Sequence, residues 1–344
     1  MNRLPLLDVT RWFAAIFVVM FHYIYMIDHI REGYPLLKSI SNYGYLAVQL
    51  FFIISGYVIF MSVDNNKNPF RFVKSRFIRL YPAYIFSVLI TFVFIYLNDS
   101  LNGYHISDFV GNLTMIPDIL GFHPANAAYW SLAIEILFYT MIATTLFITS
   151  DVNKIFNILV IWFLLSVANL AYPIGLLQKV LALKYASLFV GGAGIYLYMK
   201  TKKIYPLLIS ALTAPFSVIY AIMHSRKLEG LFPYFSFSSF IVATLVIAFY
   251  VWIFFAVSRQ NIKLAISANI ISLMAGSSYV LYLIHETIGK WVIRAYPELG
   301  ESLVFIIIFI MVIMSAAVTR FFEAPAIGVL KNFIYGSAKN KATA

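Results

Sequence analysis

Apolar runs of 17 to 23 residues, separated by short polar or basic stretches, recur ten times: 12–28, 43–62, 81–98, 129–149, 155–172, 181–199, 205–223, 236–257, 271–293 and 302–321. Each is close to the ~20 apolar residues that a helix needs to cross a bilayer. In lipid every backbone N–H and C=O must be satisfied within the protein, and no run shows the alternating ten-residue pattern of a membrane strand. The pattern therefore predicts an all-α fold, a polytopic membrane helix bundle with about ten transmembrane helices. It reads as one domain over 1–336, with a short polar tail, 337–344, expected to be disordered. No internal repeat or low-complexity tract interrupts it.

Composition sharpens this. The chain is 62% hydrophobic and 11% charged, with mean hydropathy +0.86, whereas soluble domains are nearer half apolar and a quarter charged. The first run is long enough to span and lacks a small-residue cleavage site, so a cleaved leader is not expected. The absence of cysteine excludes disulfide and thiol chemistry. No spacing of His, Asp and Glu suggests a metal site. The net charge of +11 does not point to nucleic acid, because the basic residues cluster between the spans. With the N-terminus inside, sixteen Lys and Arg fall on the inner side and eight on the outer. That bias places both termini in the cytoplasm.

Polar residues inside the spans are few, and ionisable groups at membrane depth default to a functional reading. Arg11 and His22 bracket the first span. Eleven residues of regular helix bring them back to one face, about 16 Å apart along the axis. The alternative is an arginine that snorkels to the interface and a packed histidine. The fourth span opens Trp130-Ser131-Leu-Ala-Ile-Glu135, which puts Glu135 about 9 Å below the outer interface, the depth expected for His22. A carboxylate beside an imidazole fixes its tautomer and raises its basicity, as in a general base. A protonated Glu135 bonded to a neighbour is the competing reading. Ser278, Tyr282 and His285 follow i, i+4, i+7 in the ninth span and form one polar stripe.

Ser55-Gly56-Tyr57 in the second span serves either close helix packing or a ligand's approach to the backbone. Ser55 lacks the surroundings of a Gly-x-Ser-x-Gly elbow and is not read as a nucleophile. The glycine run 191–194 reads as helix packing. The basic segment 63–80 carries Arg71, Lys74, Arg76 and Arg79, with Arg76 and Arg79 on one helical face. It is either a patch lying on anionic membrane lipids or a grip for a phosphorylated ligand. The long outer loop 99–128 is either functional or a solvated cap.

Cations on the cytoplasmic side and a His22, Glu135, His285 group nearer the outer side suit a long substrate with a polyanionic head and a reactive end. Coenzyme A has that form: phosphates for guanidinium forks, then a thin arm ending in a thioester. On this reading Arg71, Lys74, Arg76, Arg79 and Arg11 hold acyl-CoA. His22 then takes a hydroxyl proton, and the acyl group transfers directly or through an acyl-enzyme. A secondary transporter with Arg, His and Glu as a proton relay is the alternative class. No pair of broken helices in corresponding halves supports it.

Six stretches carry a resemblance. They are Arg11 to His22 (Arg-x10-His), Phe51-Phe52-Ile-Ile-Ser55-Gly56, Arg76-Phe-Ile-Arg79-Leu-Tyr81-Pro82, Trp130-Ser131-Leu-Ala-Ile-Glu135, Ser278-Tyr279 to His285, and Glu323-Ala-Pro325. In this order they resemble the motifs of the acyltransferase-3 family of integral-membrane acyltransferases, including its O-antigen and polysaccharide O-acetyltransferases. The resemblance implies a ten-helix enzyme of the bacterial cytoplasmic membrane. It implies acetyl-CoA as donor, a sugar hydroxyl of a lipid-linked or surface glycan as acceptor, and no metal. It makes Arg11 and His22 essential and gives Arg76 and Arg79 to the donor. No extra extracytoplasmic hydrolase-like domain of the kind carried by peptidoglycan O-acetylating relatives is expected, which implies a stand-alone sugar acylase.

Overall fold

The computed structural model describes residues 4–27, 35–97, 103–232, 234–259, 262, 264–296 and 300–341. Among them there is no strand. The longer helices are α1 (Pro5–Met20), α2 (Pro35–Ser41), α3 (Ala47–Asn65), α4 (Pro69–Leu97), α5 (Ile106–Asn112), α6 (Trp130–Ile148), α7 (Val152–Ala171), α8 (Ala186–Thr201), α9 (Ile204–Leu231), α10 (Ser239–Ser258), α11 (Ala268–Ile284), α12 (Gly300–Val318) and α13 (Ala324–Lys341). Nine helical segments among the described residues are long and apolar enough to cross a membrane. The one expected span outside that group is α8, at 16 residues. Its buried residues run without a break from Ala186 to Leu197, so it is surrounded by protein on every face. The expected tail at 337–344 begins inside α13, and residues 342–344 lie outside the described residues.

The chain divides into two compact units. The first comprises Met1–Thr10, Asn42–Phe72 and Leu137–Ala265. Its centre is the pair α3 and α8, packed through glycine. A Cβ on Gly56 would overlap the Phe189 carbonyl, and one on Gly192 would overlap the Ile53 carbonyl and sit 2.8 Å from the Tyr57 amide. Small residues let two backbones approach this closely where lipid gives no hydrophobic drive to associate. The Ser55-Gly56 pair therefore serves helix packing at its glycine. The Tyr57 ring meets Tyr196 edge-on at 5.4 Å. Tyr196 donates to Asp64 Oδ2 at 2.6 Å, and Lys200 forms an ion pair with the same carboxylate. Further out, hydroxyls tie α7, α8, α9 and α10 together. Ser210 donates to the Gly191 carbonyl (2.9 Å), Tyr250 to the Ser187 carbonyl (3.0 Å) and Tyr220 to the Ser166 carbonyl (2.8 Å).

Gly192→Val is expected to destabilise the protein by about 3 kcal/mol, the upper end of ordinary overpacking, because the opposing atoms are backbone and cannot rotate away. A lowered unfolding midpoint of the detergent-solubilised variant checks this; a midpoint equal to wild type would refute the packing account.

The second unit comprises Arg11–Ser41, Val73–Ile136 and Ile266–Ala344. Helix α12 shows how such a unit meets lipid. Ile306, Phe309, Ile310 and Ile313 are all well exposed, at i, i+3, i+4 and i+7. A stripe of this kind on one helix face marks a membrane-facing surface. The opposite face carries Val304, Ile307 and Met311, which are buried. Helix α4 starts where Asn68 accepts from the Arg71 amide (2.9 Å) and Pro69 takes the first helical position.

The described part of the outer loop, from residue 103, folds back on two polar hubs. Asp108 accepts from the His105 and His123 amides, both at 2.8 Å. These two backbone hydrogen bonds, His105 first, hold its carboxyl below the ordinary 3.8. Asn112 donates to the Asp108 and His123 carbonyls and accepts from the Ala125 amide (2.9 Å), while Tyr84 caps its own carbonyl at 2.6 Å. Both hubs are buried. The described part of the loop is thus folded around these hubs, with many of its other side chains exposed, and it carries Ala125, Asn126 and Ala127 to the site.

Candidate active site

Among its described residues the second unit holds three helical turns of the wide, π type: Phe21–Tyr25, His285–Gly289 and Thr319–Glu323. Such turns hold one residue more than a regular turn and recur at functional sites. Two of them carry the predicted histidines. The third carries Glu323, whose Oε2 is buried with no hydrogen-bond partner among the described residues, as is the Thr319 hydroxyl.

His22 and His285 face each other with ring centroids 5.1 Å apart. His285 has no exposed surface, while the His22 ring is half-buried. Two ring nitrogens, His22 Nδ1 and His285 Nε2, are fully buried without a partner among the described residues. His285 Nδ1 lies 2.9 Å from the Tyr282 carbonyl and 3.2 Å from the Leu281 carbonyl. Carbonyls only accept, so Nδ1 carries the proton and Nε2 holds a lone pair.

Side chains brought from elsewhere satisfy the carbonyls of this widened turn. Tyr23 Oη donates to the His285 carbonyl at 2.5 Å. Ser87 Oγ and Asn126 Nδ2 both donate to the Leu283 carbonyl, at 3.0 and 2.9 Å. Ser87 also bonds Tyr129 Oη at 2.7 Å, and Thr287 donates to the Ala125 carbonyl at 3.2 Å. Widening a helix in lipid frees backbone acceptors, and each one left alone would cost several kcal/mol. The Tyr23 hydroxyl has room because residue 289 is glycine; a Cβ there would overlap it.

One helical turn on, Lys290 bonds Glu286 Oε1 at 2.5 Å, and Glu286 Oε2 accepts from the Ala127 amide at 3.3 Å. Lys290 is within electrostatic reach of both imidazoles, and Glu286 of His285. Tyr282 Oη bonds Ser131 Oγ at 2.6 Å, and its ring lies 5.8 Å from that of His285. Glu135, one turn beyond Ser131 on α6, is within electrostatic reach of Tyr282.

The expected residues thus fall into groups. His22, His285, Tyr282 and Ser131 form a continuous contact chain, and Glu135 lies one turn beyond Ser131 on α6. Trp130 opens α6 and is half-buried. Ser278 turns its hydroxyl onto the Ala275 carbonyl of its own helix (2.9 Å) and so spends it on the backbone. Arg11 is half-buried on α1; the one-face arithmetic linking it to His22 holds only to Met20, where the wider turn begins. Lys74, Arg76 and Arg79 occupy the first turns of α4 in this unit, Arg79 and Lys74 exposed and Arg76 half-exposed. Arg79 is within electrostatic reach of Glu323. Arg71, Ser55 and Tyr57 belong to the first unit. Among the described residues no group of three or more His, Asp or Glu is placed to hold a metal.

Sequence reasoning missed Tyr23, Ser87, Asn126, Glu286 and Lys290. Only the last two left a trace, an i, i+4 acid–base pair beside His285.

A half-accessible imidazole backed by a second one suits proton transfer at an apolar site. The profile of a family described as an acyltransferase domain matches residues 4–320. The chain belongs to the acyltransferase-3 family. Within this acyltransferase-3 chain, the matched region holds His22, Arg76, Arg79, Glu135 and His285, and ends at Arg320, just short of Glu323. The protein called Acyltransferase MdmB, from Streptomyces mycarofaciens, is 33% identical over 155 residues, which is 40% of this chain and 38% of that protein. The chain therefore spans well under half the length of this relative. No solved structure matches it.

Proposed function

We propose that the protein is a membrane O-acyltransferase of the bacterial cytoplasmic membrane, moving acetyl from cytoplasmic acetyl-CoA to a sugar hydroxyl of a lipid-linked or surface polysaccharide such as O-antigen. The observation that carries this reading is the half-accessible His22 ring seated against a buried His285 in a chain of the acyltransferase-3 family. The acceptor hydroxyl gives its proton to His22 as its oxygen attacks the thioester carbonyl. The C–S bond then breaks, and His22 returns the proton to the departing thiolate. Ser131 and Tyr282 support the imidazole pair from the His285 side, and Glu135 follows Ser131 on α6. Lys74, Arg76 and Arg79 meet the donor's phosphates, with Arg11 assisting from α1. Guanidinium groups suit phosphate oxygens, and all but the half-exposed Arg76 and Arg11 are exposed.

Mass spectrometry of surface polysaccharide from cells with and without the protein tests this. Sugar units heavier by an acetyl group, present only with the protein, are expected. Identical spectra would overturn the proposal.

A further inference from the structure

We propose that His285 is a positioning residue for His22. Its Nε2 lone pair accepts the proton on His22 Nδ1 and leaves His22 Nε2 as the nitrogen that takes up the hydroxyl proton. This rests on the acyl-transfer reading above and adds the group that sets the tautomer of the base.

Three observations support it. First, the protonation of His285 is fixed from behind: Nδ1 faces the carbonyls of Leu281 and Tyr282, so only Nε2 can accept. Second, that nitrogen and His22 Nδ1 are the two buried, unpartnered nitrogens of rings 5.1 Å apart. A buried polar atom without a partner is costly, and catalytic hydrogen bonds that are long before substrate binds tighten afterwards. Third, the His285 backbone is clamped. Tyr23, the residue next to His22, donates to the His285 carbonyl across 262 positions of sequence, and Gly289 makes room for that hydroxyl. The two π turns are thereby locked to each other at the histidines themselves.

A carboxylate orients the base in the usual triad. Here the acid next to His285, Glu286, is engaged by Lys290 and the Ala127 amide. A neutral imidazole in its place keeps net charge out of the apolar interior. The protons balance. The hydroxyl proton goes to His22 Nε2 and from there to the thiolate sulfur, while the Nδ1 proton of His22 stays between the two rings.

The test is steady-state acyl transfer from acetyl-CoA by full-length protein in proteoliposomes, with acetyl-CoA affinity measured in parallel. His285→Phe keeps a flat ring and removes the acceptor nitrogen. It is expected to lower kcat about a hundredfold while the KM for acetyl-CoA stays within twofold. His285→Gln, which returns an acceptor oxygen, is expected to recover at least tenfold of that loss. If the Phe variant does not insert, His285→Met against His285→Gln carries the same comparison. Equal kcat for wild type and Phe, or equal loss in Phe and Gln with acetyl-CoA affinity intact, would overturn the inference. Wild-type protein that transfers no acetyl would overturn the acyl-transfer reading instead.

Discussion

Replacing His22 by glutamine is expected to lower acyl transfer roughly a thousandfold while the protein still inserts and binds its donor. Glutamine has a similar reach but cannot take up a proton, so the variant removes general-base catalysis and little else. Such catalysis is worth about 10²- to 10⁴-fold. The loss should fall near the middle of that range, because the one other imidazole packed against His22 among the described residues, His285, is fully enclosed. The check is the initial rate of label transfer from acetyl-CoA, normalised to inserted protein. A His22→Gln rate within threefold of wild type would remove the imidazole from the chemistry.

The second large effect is on the donor. Arg76→Ala combined with Arg79→Ala is expected to raise the KM for acetyl-CoA about a hundredfold with kcat nearly unchanged at saturation. Hydrogen bonds to a charged group are each worth about 1.5–3 kcal/mol, and two at the lower end give this factor. The lower end applies because the Arg79 side chain is exposed and the Arg76 side chain half-exposed, so water and salt screen them. The wild-type KM should rise with ionic strength, and the double variant should lose most of that dependence. A kcat loss at unchanged KM would mean that these arginines act in the chemical step. No change in either parameter would return the cluster to its other reading, a patch resting on anionic lipid.

The helices were legible because a run of about twenty apolar residues has few other uses. Their ends were less so. Helix α4 begins at Pro69, inside a stretch that reads as a basic connection, because a cap at Asn68 outweighs the local charge. Helix α8 was readable as a helix, but its 16 residues and burial on all sides distinguish it from its neighbours only in three dimensions. His22 and His285 stood out because imidazole is rare at membrane depth. Their pairing did not, since a π turn adds one residue to a helix without marking the hydrophobic period. The depth argument that matched His22 to Glu135 compared distances along helix axes. It carried no information on which way each face turns. The structure sets His285 against His22. Tyr23, Ser87 and Asn126 were invisible for a simpler reason: each serves a backbone carbonyl far away in sequence, and such acceptors leave no side-chain signature.

The most direct measurement is a transfer assay with purified protein in proteoliposomes, acetyl-labelled CoA on the side of the basic cluster and a lipid-linked glycan in the membrane. Label is expected on glycan hydroxyls with wild type and at background with His22→Gln. Label that stays on CoA with wild type, or reaches the glycan equally with His22→Gln, would contradict an acyltransferase working through this imidazole.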